Sequence, residues 1–187
     1  MKTDVSTTYS YFSRHMRNCT ATIATSVTLL AYRMSPDEPA LINEVVEASY
    51  LLDLFDAGMD ICFSHDMGKV PSYEDTYPLE PILLHFMDQC KSLMSERNIK
   101  LNLRIENPAI INAHVYELRT ITNLIIYEMI LQTAGKLSVS LKNKTITLAA
   151  EGFYDVPKVW EIFQEVLATS GVRFTYSQES CTLEFGV

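Results

Sequence analysis

The chain has 187 residues, 48% of them hydrophobic and 10% aromatic, which is too apolar for a disordered protein and enough for one or two ordinary cores. Its formal net charge of −8 opposes attraction to a phosphate backbone, so nucleic acid is excluded as an expected partner. No apolar run reaches the roughly 18–20 residues of a membrane span, and Met1 to Tyr9 lacks the charged-then-apolar layout of a signal peptide. A cytoplasmic protein with no membrane partner is expected.

In chain order, Phe12, Met16, Cys19, Ile23, Val27 and Leu30 recur at steps of three and four, the seam of one long amphipathic helix from Tyr9 to Met34. Ser35-Pro36-Asp37-Glu38-Pro39 breaks it and starts a second helix, because proline suits a first turn and not an interior. There Leu41, Val45, Ala48, Leu52, Phe55, Met59 and Cys62 repeat with the same period, so the two helices form an antiparallel hairpin. Two helices cannot enclose both stripes alone. Pairing with a second copy completes a four-helix bundle, which predicts a homodimer. This hairpin domain is expected over 1–70, followed by a linker over 71–76 and a second domain over 77–187.

The second domain starts with a helical stripe from Pro78 to Arg97, then a half-buried strand over Lys100 to Ile105. Asn112 is a fair N-cap for a helix over Val115 to Thr133, which Gly135 closes. Leu137 to Leu141 and Thr145 to Ala149 flank the turn Lys142-Asn143-Lys144 and read as a hairpin. A helix over Val156 to Ser170 ends at Gly171. The strands Val172 to Tyr176 and Cys181 to Phe185 finish the chain. The fold class is therefore α+β, a helical hairpin followed by a small sandwich with helices on one face of a mixed or antiparallel sheet. The cysteines Cys19, Cys62, Cys90 and Cys181 stand far apart, which predicts reduced, mostly buried thiols and no metal site.

Glu117 to Gly135 resembles the nucleotide-binding helix of sensor histidine kinases, which reads roughly Arg-Leu-Arg-x-x-Leu-x-Asn-Leu-x-x-Asn-Ala-Leu-Lys-x-Thr. The order of elements and the stretch Ile162 to Phe174 resemble the same family, so the likeness runs from about Tyr9 to Val187. It implies a dimerisation and phosphotransfer hairpin plus a Bergerat-type ATPase domain. Three departures imply that the nucleotide site is degenerate. Tyr127 and Glu128 stand where the family has Asp-Asn, so the magnesium ligand is replaced by an acid that repels phosphates. Ala150 stands at the adenine-binding Asp of the Asp-x-Gly-x-Gly motif, with Gly152 after it. Only Asp155 to Lys158 occupies the place of the glycine-rich lid, whose amides cradle phosphates. No cofactor is expected.

In the family the first helix carries Ser-His-Glu-Leu-Arg-Thr-Pro-Leu. Matching Ser13, Met16 and Arg17 without gaps puts Arg14 at the acceptor position, and Arg14 lies about 200° from Met16 around the helix, toward solvent. His15 lies on the flank of the stripe. A guanidinium cannot accept phosphate. The resemblance then implies a noncatalytic two-component signalling protein, a pseudokinase-like dimer that binds a response-regulator receiver or a partner histidine kinase through Arg14, His15, Arg17 and Asn18. The alternative is a histidine phosphotransferase, a phosphorelay protein in which His15 exchanges phosphoryl groups with a receiver aspartate. An active ATP-dependent kinase with unusual ligands is a third reading, and an unrelated α+β domain a fourth. His65 is expected in a C-terminal helical turn, His85 and His114 at the surface or in structural places, and Trp160 in the core with Phe163 and Leu167.

Overall fold

The computed structural model describes residues 5–33, 39–68, 75–150 and 155–186, and the chain divides into two compact units, Met1–Ile61 and Cys62–Val187. The expected turn at Ser35 to Glu38 and most of the expected linker lie outside the described residues.

The first unit is built on α1 (Val5–Arg33) and α2 (Pro39–Asp66). Phe12 faces Phe55, with ring centroids 6.4 Å apart, whereas Ser26 further along α1 donates to the Glu44 carboxylate earlier in α2, at 2.9 Å. Contacts that advance on one helix and retreat on the other require antiparallel helices. Phe12, Cys19 and Ser26 are buried on α1, while Val27 is half-exposed, so the seam turns one residue away from the expected stripe. On α2 the buried apolar side chains among the described residues are Ala48, Leu51, Leu54, Phe55 and Ile61, and expected stripe members Leu52 and Met59 are only partly covered. The physical reason is that α2 is apolar on more than one face, so periodicity offers two adjacent stripes and packing selects one. Ile42 and Val46 remain exposed on the other.

The second unit begins with β1 (Asp75–Pro78), α3 (Leu79–Gln89), α4 (Lys91–Glu96), β2 (Lys100–Pro108) and β3 (Ile110–Ala113). It continues through α5 (Val115–Gln132), β4 (Lys136–Asn143), β5 (Thr145–Ala150), α6 (Lys158–Thr169), β6 (Val172–Tyr176) and β7 (Ser180–Phe185). Five strands form a mixed sheet in the order β2-β4-β5-β7-β6, with β2 and β4 parallel and the other neighbours antiparallel. Alternate residues Leu137, Val139, Leu141, Ile146, Leu148, Cys181, Leu183 and Phe185 are buried, and the serines and threonines between them are only partly covered. That period of two gives the sheet one apolar face for the helices. Asn143 turns the β4–β5 hairpin at φ +52°, a conformation that asparagine tolerates better than most residues.

Two boundaries differ from expectation. The helix after Pro78 is interrupted at Cys90, although Cys90 and Met94 still donate to carbonyls four residues back, so the break is a bend in a nearly continuous stripe. Asn112 pairs with Thr76 in the small β1–β3 ladder, and His114 occupies the cap position of α5. Strand pairing satisfies backbone groups of both strands at once, which moves the start of the helix past Asn112.

Candidate functional site

Helix α5 lies at the centre of the second unit. Leu118, Ile121, Leu124, Ile125, Ile126, Met129 and Ile130 are buried, as are the polar Thr120, Thr122 and Asn123. Tyr127 is 8% exposed, so the position before Glu128 belongs to the core. Glu128 is half-buried, and its Oε2 accepts the backbone N–H of Val159 at 2.8 Å. Val159 is in the first turn of α6, whose N-cap residue Pro157 offers no side-chain acceptor. The carboxylate therefore supplies the missing cap and meets the positive end of the helix dipole. One turn later on α5, the Gln132 Oε1 accepts the N–H of Asp155 at 3.2 Å. Two side chains of one helix face thus fasten the segment that stands where the resemblance implies a lid.

Ala150 ends β5, is buried, and donates its N–H to the Glu179 carbonyl at 3.1 Å. A methyl group there accepts nothing from a purine. Gly152, the remaining position of the implied nucleotide site, lies outside the described residues. Replacing Glu128 by alanine is expected to cost about 1–2 kcal/mol, the range of a lost cap plus its dipole interaction. Urea denaturation measures it, and Glu128→Gln, which keeps an acceptor, should lose less; equal stability of all three proteins would show that the cap contributes nothing.

In the first unit, Arg14, Arg17 and Asn18 are exposed on α1, and the Arg17 Nε donates back to the Ser13 carbonyl at 3.1 Å. His15 is half-buried. Its ring stacks on Phe55 of α2 at 4.7 Å and 21°, and Tyr11, one turn earlier, lies 4.6 Å away at 51°. Burial, and then the positive charge of Arg14, hold the imidazole below its ordinary pKa of 6.5, so it is neutral at pH 7. The neutral ring is the nucleophilic form. The structure thus places Arg14, His15, Arg17 and Asn18 on one helix, and in the other unit Tyr127 and Glu128 on α5 and Ala150 at the end of β5.

Phe55 was not among the expected site residues. Its only sequence signal is membership of the α2 stripe, which does not reveal a neighbour on α1. His65 sits in the last turn of α2, His85 is exposed on α3, and Trp160 is half-buried, not in the core. Its ring stacks on Phe174 at 4.6 Å, so helical spacing with the fully buried Phe163 and Leu167 places it at the rim. All four cysteines are free, and burial pushes both Cys62 and Cys181 up to about 12, which keeps their thiols protonated. No described helix is long and apolar enough to cross a membrane.

No family model matches the sequence, and no curated protein resembles it at a significant level. Solved structures do resemble the fold. The cytoplasmic segment of the histidine kinase QseC matches with a TM-score of 0.58 at 12% identity, over 71% of this chain and 94% of that one. The Acinetobacter baumannii histidine kinase AdeS matches with a TM-score of 0.55 at 9% identity, over 91% and 95%. A bacterial phosphotransferase matches with a TM-score of 0.51 at 7% identity, over 98% of this chain and 97% of that one. The chain has the fold of a histidine kinase core, a helical hairpin joined to an ATPase-like α+β domain.

Proposed function

We propose that this chain is a cytoplasmic two-component signalling protein that binds no ATP and carries phosphoryl groups to or from a receiver aspartate on His15. The observation that carries this reading is the placement of His15, a neutral imidazole on the first hairpin helix with exposed Arg14 and Arg17 beside it. Stacking on Phe55 covers a ring face, whereas attack uses a nitrogen lone pair in the ring plane. A covered face therefore does not block the reaction. In the step, a ring nitrogen attacks the phosphorus of the aspartyl phosphate, an N–P bond forms, and the P–O bond breaks with its electron pair going to the carboxylate. The arginines offset the charge on the phosphoryl oxygens.

The degenerate ATPase-like unit supports the same reading. A Glu128 carboxylate already spent on the α6 cap and an alanine at position 150 leave little to hold a nucleotide and its magnesium. Whole-length likeness to a phosphotransferase adds weight, since that protein shares both halves of the architecture. The exposed apolar residues Val27, Leu29, Ile42 and Val46 on the hairpin suit the homodimeric four-helix bundle.

A second reading rests on Arg14, which is exposed where His15 is half-buried: a noncatalytic scaffold whose arginines pair with the acidic pocket of a receiver, or which exchanges subunits with a partner kinase. The deciding experiment incubates the protein with a phosphorylated receiver. Acid-labile, base-stable label on this chain is the expected result. Binding of the receiver without label would leave the scaffold, and saturable ATP binding with magnesium would overturn both.

A further inference from the structure

Tyr11 and His15 are four residues apart on α1, so their side chains stand one above the other on the same helix face. Phe55 reaches the imidazole from α2. Its ring centroid lies 4.7 Å from that of His15 with 21° between the planes, a ring laid over a face, while Tyr11 lies 4.6 Å away at 51°. Rings clamped on opposite faces would stand apart by the sum of those distances. Tyr11 and Phe55 are only 6.4 Å apart. The three centroids therefore make a triangle with nearly a right angle at the imidazole, which places Tyr11 at the side of the ring that Phe55 covers from one face.

Tyr11 is held in that place. Its ring meets the fully buried Phe12 at 5.2 Å and 87°, meets Phe55 at 72°, and its hydroxyl oxygen is buried, so the phenol is wedged into the seam of the hairpin. A fixed ring at an edge has a chemical consequence that a ring on a face lacks. An imidazole carries one nitrogen on each edge, Nδ1 on one and Nε2 on the other, and attack proceeds along a lone pair in the ring plane. Turning the imidazole over about its Cβ–Cγ bond leaves the stack on Phe55 much as it was but exchanges the two edges. Only a neighbour at an edge tells the two orientations apart.

We propose that Tyr11 is a positioning residue that shields one edge of His15 and so restricts phosphoryl transfer to a single ring nitrogen. This rests on the reading of His15 as the phosphoryl carrier. The shielded nitrogen keeps the one proton of the neutral ring. The opposite nitrogen supplies the lone pair and forms the N–P bond, while the P–O bond to the receiver aspartate breaks with its electron pair going to the carboxylate. The ring then carries the positive charge until its proton leaves to water.

Phosphohistidine has two isomers, one for each nitrogen, and phosphorus NMR of the intact labelled protein tells them apart. The native protein and Tyr11→Phe, which keeps the ring, should each give one dominant isomer. Tyr11→Leu, which opens the edge, should give both, with the ratio of major to minor lowered about two- to tenfold, the worth of one aromatic pair contact. Circular dichroism checks that the variants keep their helices, and Tyr11→Met, a flexible apolar filler, replaces the leucine variant if that one does not fold. Nitrogen NMR of the unlabelled protein at pH 7 reads the same shielding without any transfer: His15 should show one neutral tautomer in the native protein and a mixture in Tyr11→Leu. A native protein that takes no label removes the carrier role of His15 and this proposal with it. A native protein that takes label as an even mixture of isomers, or whose single isomer is unchanged by Tyr11→Leu, overturns this proposal alone.

Discussion

Replacing His15 by glutamine is expected to reduce acid-labile label from a phosphorylated receiver to background while the receiver still binds. Glutamine keeps a polar side chain of similar reach on α1 but has no nucleophilic nitrogen, because its amide lone pair is delocalised. The substitution also removes a ring that stacks on Phe55, so circular dichroism must accompany the assay to show that the hairpin remains helical. Arg14→Gln supplies the contrast. It takes away a positive charge that lowers the His15 pKa, leaves the nucleophile in place, and should weaken receiver binding while label still forms. Label that persists in the His15 variant, or disappears only with Arg14, would sink the phosphotransfer reading and leave the scaffold.

The order of elements was legible where local periodicities differ: steps of three and four across α1, α2 and α3, and alternation in β2; α5, buried on nearly every face, was marked by its flanking residues and the resemblance. The parts that were not legible depend on partners distant in sequence. Asn112 reads as a cap until Thr76 is seen to pair with it across the chain. Glu128 reads as a lost magnesium ligand, and its bond to Val159, 31 residues away, is invisible to any local window. The sequence shows the short segment Asp155 to Lys158 where the resemblance implies a lid. Its consequence, that α6 starts close enough for a side chain of α5 to cap it, needed coordinates. Likewise the reading of His15 on the flank of the α1 stripe was a matter of helical angle, whereas its stacking partner comes from another helix.

That partner carries the largest expected effect on stability. Phe55 is fully buried and touches Phe12, Tyr11 and His15, so Phe55→Ala should cost about 3–5 kcal/mol, the range for deleting a core phenylalanine. Urea denaturation followed by helical signal measures it. The same substitution acts on His15. Removing the ring admits water and relieves the burial that disfavours the imidazolium, so the His15 pKa should rise toward 6.5, as NMR titration of the ring protons would show. In the native protein the folded state holds this group's pKa below its unfolded value. The unfolded chain therefore binds the proton first as pH falls, and the stability contributed by His15 is complete above 6.5 and lost progressively below it. Transfer should follow the same groups, with its acid limb lying below 6.5 in the native protein and moving up in the variant. Should Phe55→Ala fail to fold, Phe55→Leu keeps an apolar filler and reports the same direction at smaller amplitude. An unchanged His15 titration in a folded variant would show that the ring of Phe55 does not set the protonation of the imidazole.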